Sequence, residues 1–291
     1  MWINLKTEHS FGSVYGHTED VAHCAAQLGT WAGIADKDAT WGHVRWQKAC
    51  NTAKIKPIYG VILTVVPEEE IKMRRARRAE VTLVAMDLPG LQEIYGLVDK
   101  AHQQFYYFPR IKYSQLNALS ESVTLIVGPG IEFKKLKRPA FQRIQPGDPK
   151  AFQHNNYGIP PIACVDNWYP RIEDKMIYEP FAAERKLECK TSPQYILTID
   201  EWESEFPGQA EALENLIWVA TNANVTLPKA QMVRYFKQTD IRAYCEKAAF
   251  KRKIDLTDPI YKERFEREIA LIIEKEYADY FFVVEIIFYQ V

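Results

Sequence analysis

Four short runs rich in β-branched and aliphatic residues, the first three separated by stretches of helical periodicity and the fourth following a basic stretch, restrict the first part of this chain to layered α/β architectures. The runs are "MWINLKT", "WAGIAD", "IKPIYGVILTVV" and "EVTLVAM". They are nearly continuous in apolar character, as expected of strands covered on both faces. Between them, Thr18 is expected to cap "EDVAHCAAQL", whose Val21, Cys24, Ala25 and Leu28 share one helical face, with Gly29 placed to end the helix. "GHVRWQKACNTA" sets Val44, Lys48 and Ala49 at helical spacing. "PGLQEIYGLVDKAHQQ" carries a stripe of Leu91, Ile94, Tyr95 and Val98 with Pro89 at its entry. "SVTLIVGPG" and "IPPIACVDN" continue the alternation. The order predicts a mainly parallel sheet covered by helices, either a closed β/α barrel or an open doubly wound sheet.

The character changes near residue 198. Thr198 and Glu201 form a capping box, "PGQAEALENLIWVATNAN" reads as a strong helix, and Asp258 with Pro259 opens a helix whose Tyr261, Phe265, Ile269 and Ile272 line one side. The compositional boundary falls near "VTLPKAQM", residues 225–232, which predicts a β/α domain over 1–228 and a helical extension over 229–291. Lysines and arginines (37) nearly cancel aspartates and glutamates (38), so nucleic-acid contact, if any, must be local. Five scattered cysteines, Cys24, Cys50, Cys164, Cys189 and Cys245, suggest neither a disulfide framework nor a zinc knuckle. The amino terminus lacks the pattern of a signal peptide, and no apolar run is long enough to span a bilayer, so a cytoplasmic location and no membrane partner are expected.

In β/α architectures the working residues gather at the carboxyl edge of the sheet. Three strand ends there offer Glu8 or His9, Asp36 and Asp166, with Glu80 less well placed at the start of the fourth strand. Such a group suits a divalent metal and phosphate-ester hydrolysis; equally, strand-end carboxylates cap helices or bond loop amides. His9 and His43 stand near this group, whereas His17, His23, His102 and His154 read as helix or loop residues. No P-loop, GxGxxG, HExxH or GxSxG motif occurs. Two basic runs, "KMRRARR" with Arg74, Arg75, Arg77 and Arg78, and "EFKKLKRPAFQR" with Lys134, Lys135, Lys137 and Arg138, are either solvated loops or contacts for a nucleic-acid backbone.

Taken together, "GIADKDATWGHVRWQKAC", "NTAKIKPIYGV", "EVTLVAMDLPGLQEIYGLVDKA", "FYYFPRI", "PPIACVDNWY", "QAEALENLIWVATNANVTLP" and "YKERFEREIALIIEKEYADYFFVVEII" resemble, in order, the amino-terminal part of the bacterial C-family replicative polymerase, the DNA polymerase III α subunit. That part is a PHP (polymerase and histidinol phosphatase) domain. The resemblance implies a distorted seven-stranded β/α barrel followed by a helical extension leading to the polymerase palm. Metal-binding members carry His-x-His after the first strand, where this chain has Lys6 and Glu8, or His9 alone if the register slips. Lys37 follows Asp36 in place of a histidine, Ile62 occupies a glutamate position, Glu80 a histidine position, and Trp168 the last histidine of Asp-x-His after Asp166. Neutral imidazoles complete such metal sites and an ammonium offers no lone pair. Hence no cofactor is expected, and Lys6 or Lys37 is expected to form an ion pair with Asp36 in the vacated volume.

The resemblance therefore implies a metal-free scaffold for DNA replication, partnered by the palm, thumb and fingers of a polymerase in the same or a separate chain, meeting DNA indirectly and a proofreading subunit besides. The palm carboxylates that hold two magnesium ions lie beyond the matched segment in that family, so this stretch alone is not expected to act as a nucleotidyltransferase. One alternative is a phosphoesterase or 3′-5′ exonuclease using zinc or manganese on Glu8, His9, Asp36, Glu80 and Asp166. Another is a stand-alone interaction protein docking through its apolar last segment, "YADYFFVVEIIFYQV", which should seek a covering surface on a partner or on its own barrel. Drift at a metal site on this scale suggests a phage or another mobile element as the source.

Overall fold

The computed structural model describes residues 2–146, 158–187, 193–229, 233–235 and 240–290; His154 and Cys189 lie outside them. The chain divides into two compact units, Met1–Leu227 and Pro228–Val291. The first runs β1 (Trp2–Leu5), α1 (Thr18–Ala26), β2 (Trp31–Lys37), α2 (His43–Ala53), β3 (Lys56–Val66), β4 (Ala79–Ala85), α3 (Leu88–Gln103), β5 (Ile111–Lys112), α4 (Tyr113–Asn117), β6 (Val123–Val127), β7 (Phe141–Ile144), β8 (Pro161–Ala163), α5 (Lys175–Glu184), α6 (Ile199–Glu205) and α7 (Ala210–Asn222). The second holds α8 (Ile241–Lys251), α9 (Pro259–Glu274) and α10 (Ala278–Gln290).

Hydrogen bonding orders the strands β1-β2-β3-β4-β6-β7-β8, with the two-residue β5 paired to β3. The sheet is mixed. β4 is antiparallel to both β3 and β6, while the remaining pairs are parallel. The expectation of a seven-stranded ring is therefore met by a curled sheet of seven strands rather than a closed ladder, because β1 and β8 end the path and no ladder joins them among the described residues. Side chains bridge that seam instead. The Asn167 carboxamide oxygen accepts from the Lys6 backbone N–H at 2.8 Å and its Nδ2 donates to the Lys6 carbonyl at 2.9 Å, so it supplies to the end of β1 the two bonds that a neighbouring strand would make.

Strands β1 to β4 bury their residues almost completely, as their continuous apolar runs require. α3 begins where Asp87 accepts from the Gly90 N–H at 2.8 Å, with Pro89 in the first turn, and it buries Leu91, Ile94, Leu97, Val98 and Ala101. α2 is rotated from the expected stripe. It buries His43, Trp46, Ala49 and Cys50 and leaves Val44 exposed, because the aromatic and imidazole rings fill the space over the sheet. Thr18 does not cap α1: His17 stands at the cap position, and the Thr18 hydroxyl donates to Glu8 at 3.1 Å. Nor does Gly29 end that helix, which closes at Gln27. The capping box of Thr198 and Glu201 is formed, and α6 places Trp202 edge-on to Trp2 at 5.2 Å, anchoring β1 from below.

In the second unit Asp258 caps α9 through the Ile260 N–H at 2.8 Å. α10 rests on α8 through Phe282, whose ring lies 5.3 Å from that of Tyr244, while Ile287 and Phe288 stay exposed. No helix among the described residues is long and apolar enough to cross a membrane.

Candidate functional site at the carboxyl edge of the sheet

The ends of the parallel strands bring together Lys6, Asp36, Lys37, Arg143 and Asp166. β4 adds Glu80: because it runs antiparallel, its first residues lie at the same edge where its neighbours finish, with Glu80 in register with Thr64 near the end of β3. Glu80 is thus better placed than the order of the sequence suggests. Ile62, in register with Lys37, is buried and offers no donor.

Each carboxylate at this edge is already engaged. Lys6 Nζ lies 2.8 Å from Asp166 Oδ1, and Arg143 approaches the same oxygen at 4.0 Å. Asn4 and Gln145 donate to Asp166 at 3.3 and 2.9 Å. Burial works to raise the pKa of Asp166, but the charges of Lys6 and Arg143 outweigh it and hold the carboxyl well below its ordinary range. Trp168 takes part: the Lys6 ammonium sits over its ring, 4.8 Å from the centroid. Lys37 pairs with Glu80 at 2.6 Å, and here too its charge outweighs burial and lowers the glutamate's pKa.

Asp36 is treated differently. The expected ion pair between it and Lys6 or Lys37 is not formed; each lysine has another carboxylate. Instead Asp36 accepts from the Thr7 N–H at 2.6 Å, the Thr7 hydroxyl at 2.9 Å and the Ser10 hydroxyl at 2.6 Å. Burial pushes its pKa up to about 6, against the opposing effect of those donors and of His9. Gly42 makes room for this arrangement, since a Cβ there would fall 2.7 Å from the His9 ring and 3.2 Å from Asp36 Oδ2.

Glu8 turns away from the group: Arg45 bonds one oxygen at 2.9 Å and Thr18 the other. His9 Nε2 is buried without a hydrogen-bond partner among the described residues, 4.0 Å from Glu8. His43 lies beneath the edge as a core residue. Its Nε2 donates to the Gly60 carbonyl at 3.0 Å, Nδ1 accepts from Tyr95 at 3.1 Å, and burial lowers its pKa to about 4.

Of the basic residues, Arg77 is bound to Glu69, Glu70 and Glu132, and Lys135 to Glu69 and Glu132. Arg138 donates to the carbonyls of Ser120 and Val123 and is a structural clamp. Arg74, Arg75, Arg78, Lys134 and Lys137 have no carboxylate partner among the described residues.

Sequence reasoning missed Arg143, Asn167, Thr7 and Ser10. Three of these adjoin residues that the sequence singles out, but only the fold shows that Asn167 meets Lys6 across the β1–β8 seam and that Thr7 and Ser10 meet Asp36 of β2. Arg143 sat unnoticed in a basic run read as loop, part of which is β7.

The donor set does not fit a metal cluster. Three cations balance three carboxylates, the ammoniums and guanidinium offer no lone pairs, and among the described residues no group of three or more His, Cys, Asp or Glu side chains is gathered to hold an ion. Residues 3–138 match the family model of the PHP domain. No curated protein matches the sequence. Among solved structures, the chain is similar to a Bifidobacterium adolescentis protein assigned as a metal-dependent phosphoesterase, at 10% identity over 70% of this chain and 95% of that one, with a TM-score of 0.38. It is also similar to an amidohydrolase from Chromobacterium violaceum with bound sulfate and no metal, at 10% identity over 72% and 89% of the two chains, with a TM-score of 0.35.

Proposed function

We propose that this chain, whose residues 3–138 match the PHP domain model, is a metal-free PHP module that acts as a scaffold for the core of a C-family replicative polymerase. The observation that carries the metal-free part is the complete internal engagement of the edge carboxylates, by Lys6 on Asp166, Lys37 on Glu80, and three protein donors on Asp36. A divalent ion would have to break pairs that are held in place by the chain itself. An ammonium neutralises a carboxylate but leaves no open coordination position at which water becomes a nucleophile. The polymerase part is supported by the collinear sequence segments described above, and the exposed apolar residues of α10, Ile287 and Phe288 among them, suit a further covering surface.

Equilibrium dialysis against zinc and manganese, followed by assay on a nitrophenyl phosphate ester and on single-stranded DNA, tests the metal-free part. No stoichiometric metal and no hydrolysis are expected. Binding or hydrolysis abolished by Asp36→Ala and Asp166→Ala would instead support the phosphoesterase, for which the unpartnered Nε2 of His9 is the remaining argument. For the scaffold role, co-expression with a C-family palm fragment should give a complex that co-elutes on gel filtration; separate elution counts against it.

A further inference from the structure

Beyond the scaffold role, we infer that the first unit carries a binding surface for single-stranded nucleic acid, built from an exposed track of aromatic rings and the unpaired cations beside it. Phe11 and Trp41 are 69% and 62% exposed, and their rings lie 5.3 Å apart. Trp41 in turn lies 6.4 Å from the ring of His102, in the last turn of α3, which is held to the end of β2 by a 2.8 Å bond between its Nε2 and the Asp38 carbonyl. Three residues on, the loop after α3 presents Phe105, Tyr106 and Tyr107, with Tyr107 60% exposed and the two tyrosine rings 5.0 Å apart. Large rings left in water on this scale mark a surface with a partner.

The partner's chemistry follows from the cations. The buried guanidinium of Arg110 donates to the carbonyls of Ile71 and Met73, at 3.3 and 2.9 Å, and to that of Tyr106. It thereby locks the basic run against the aromatic loop. Arg74 then lies over the Tyr107 ring at 5.1 Å and Arg78 over Phe108 at 3.9 Å. Lys72, Arg74, Arg75 and Arg78 are exposed, and among the described residues none has a carboxylate within ion-pair distance, in contrast to Arg77 between them. Four unneutralised cations within seven residues call for a polyanion. Rings interleaved with them call for one whose flat, apolar groups are free to stack: unpaired bases have such faces, whereas those of a duplex are covered by their neighbours. Neither feature reads base identity, so the surface is sequence-tolerant.

Fluorescence anisotropy of the full chain with a labelled oligothymidylate of about 20 nucleotides, at about 50 and about 200 mM salt, tests the inference. The single strand is expected to bind more tightly than a duplex of equal length, with quenching of indole emission that Trp41→Phe abolishes. Trp41→Ala and Tyr107→Ala should each weaken binding about tenfold. Arg74→Ala with Arg75→Ala should flatten the salt dependence by about 1.4 in log–log slope, at about 0.7 for each lost phosphate contact. All these side chains are exposed, so urea midpoints should match the parent. The inference is overturned if the duplex binds as well as the single strand, if the aromatic variants bind like the parent, or if no binding occurs up to about 100 μM chain at the lower salt. None of these outcomes bears on metal binding, so this inference and the metal-free reading fail independently.

Discussion

Replacing Asp166 by asparagine keeps the shape of the side chain and removes one charge from a group whose members are nearly excluded from water. The side chains of Lys6, Arg143 and Asp166 are only 9%, 7% and 13% exposed. The change strands an ammonium at 2.8 Å and leaves a guanidinium without its carboxylate, and breaking one side of a buried pair typically costs about 3–5 kcal/mol. The Trp168 ring beneath Lys6 returns about 1 kcal/mol of that, so a net loss of roughly 2–4 kcal/mol is expected. Urea unfolding followed by tryptophan emission reads the first unit, where Trp2, Trp46 and Trp202 are buried, and its midpoint should fall by about 1 M. Lys6→Met removes the other partner. In the double variant the two losses should not add, giving a coupling energy of about 2 kcal/mol. A coupling below about 0.5 kcal/mol, the size found for exposed pairs, would refute the view that Lys6 and Asp166 form a buried structural tie.

Asn167→Ala removes both side-chain bonds across the seam and leaves the Lys6 amide and carbonyl unsatisfied; about 1–3 kcal/mol should be lost, and hydrogen exchange at the Lys6 amide should accelerate. Two buried titratable groups, Asp36 at this edge and His43 beneath it, tilt stability with pH in opposite directions. Asp36, raised from 3.8 to about 6, binds more protons folded than unfolded in that window, so its contribution is present below pH 3.8 and is lost as pH rises to about 6. His43, lowered from 6.5 to about 4, binds fewer, so its contribution is present above pH 6.5 and is lost as pH falls to about 4. Relative to the parent, denaturation midpoints of Asp36→Asn should therefore rise between pH 4 and 6, and those of His43→Phe should fall over the same range; equal profiles in all three proteins would remove the buried-titration argument. Within the second unit, Phe282→Ala should cost about 3–5 kcal/mol because its ring is the buried contact between α10 and α8, whereas Phe288→Ala, nearly fully exposed, should leave thermal stability unchanged.

The strands and the long helices were legible because their signals are local. "IKPIYGVILTVV" is apolar enough to be a buried strand whatever its neighbours, and Asp87, Pro89 and the Leu91–Ile94–Val98 stripe define α3 within one segment. Strand direction is not local. Nothing in "EVTLVAM" states that β4 runs against β3, and that reversal alone carries Glu80 to the working edge. The sequence brought Lys6, Lys37, Ile62 and Trp168 to attention at strand ends, but not their pairings. Lys37 precedes Glu80 by more than forty residues and Lys6 lies 160 positions from Asp166, so partner choice is set by the curl of the sheet. α2 shows the same limit on a smaller scale: Val44 has the hydrophobicity of a core residue, yet His43 is the residue buried, because the Gly60 carbonyl and the Tyr95 hydroxyl offer it two hydrogen bonds under the strands.

A metal cluster at the mouth of such a sheet would do two separable things: cross-link strand ends by neutralising their carboxylates, and present a polarised water. The residues of this chain supply the first by covalently attached means. Lys6 joins the end of β1 to Asp166 beyond β8, Lys37 joins the end of β2 to the start of β4, and the hydroxyls of Thr7 and Ser10 join the segment after β1 to Asp36 in β2. Each tie spans strands that do not pair directly, or reinforces a short ladder such as that of β1 with β2, so together they brace the open side of the curled sheet. Being part of the chain, they need no ion from solution to form. What they cannot supply is an exchangeable ligand position, since a lysine or a guanidinium holds no water in a form acidic enough to attack an ester. On the proposed metal-free reading these ties do the cross-linking at this edge without an ion, and that reading predicts an unfolding midpoint in the parent protein that is unchanged by a chelator.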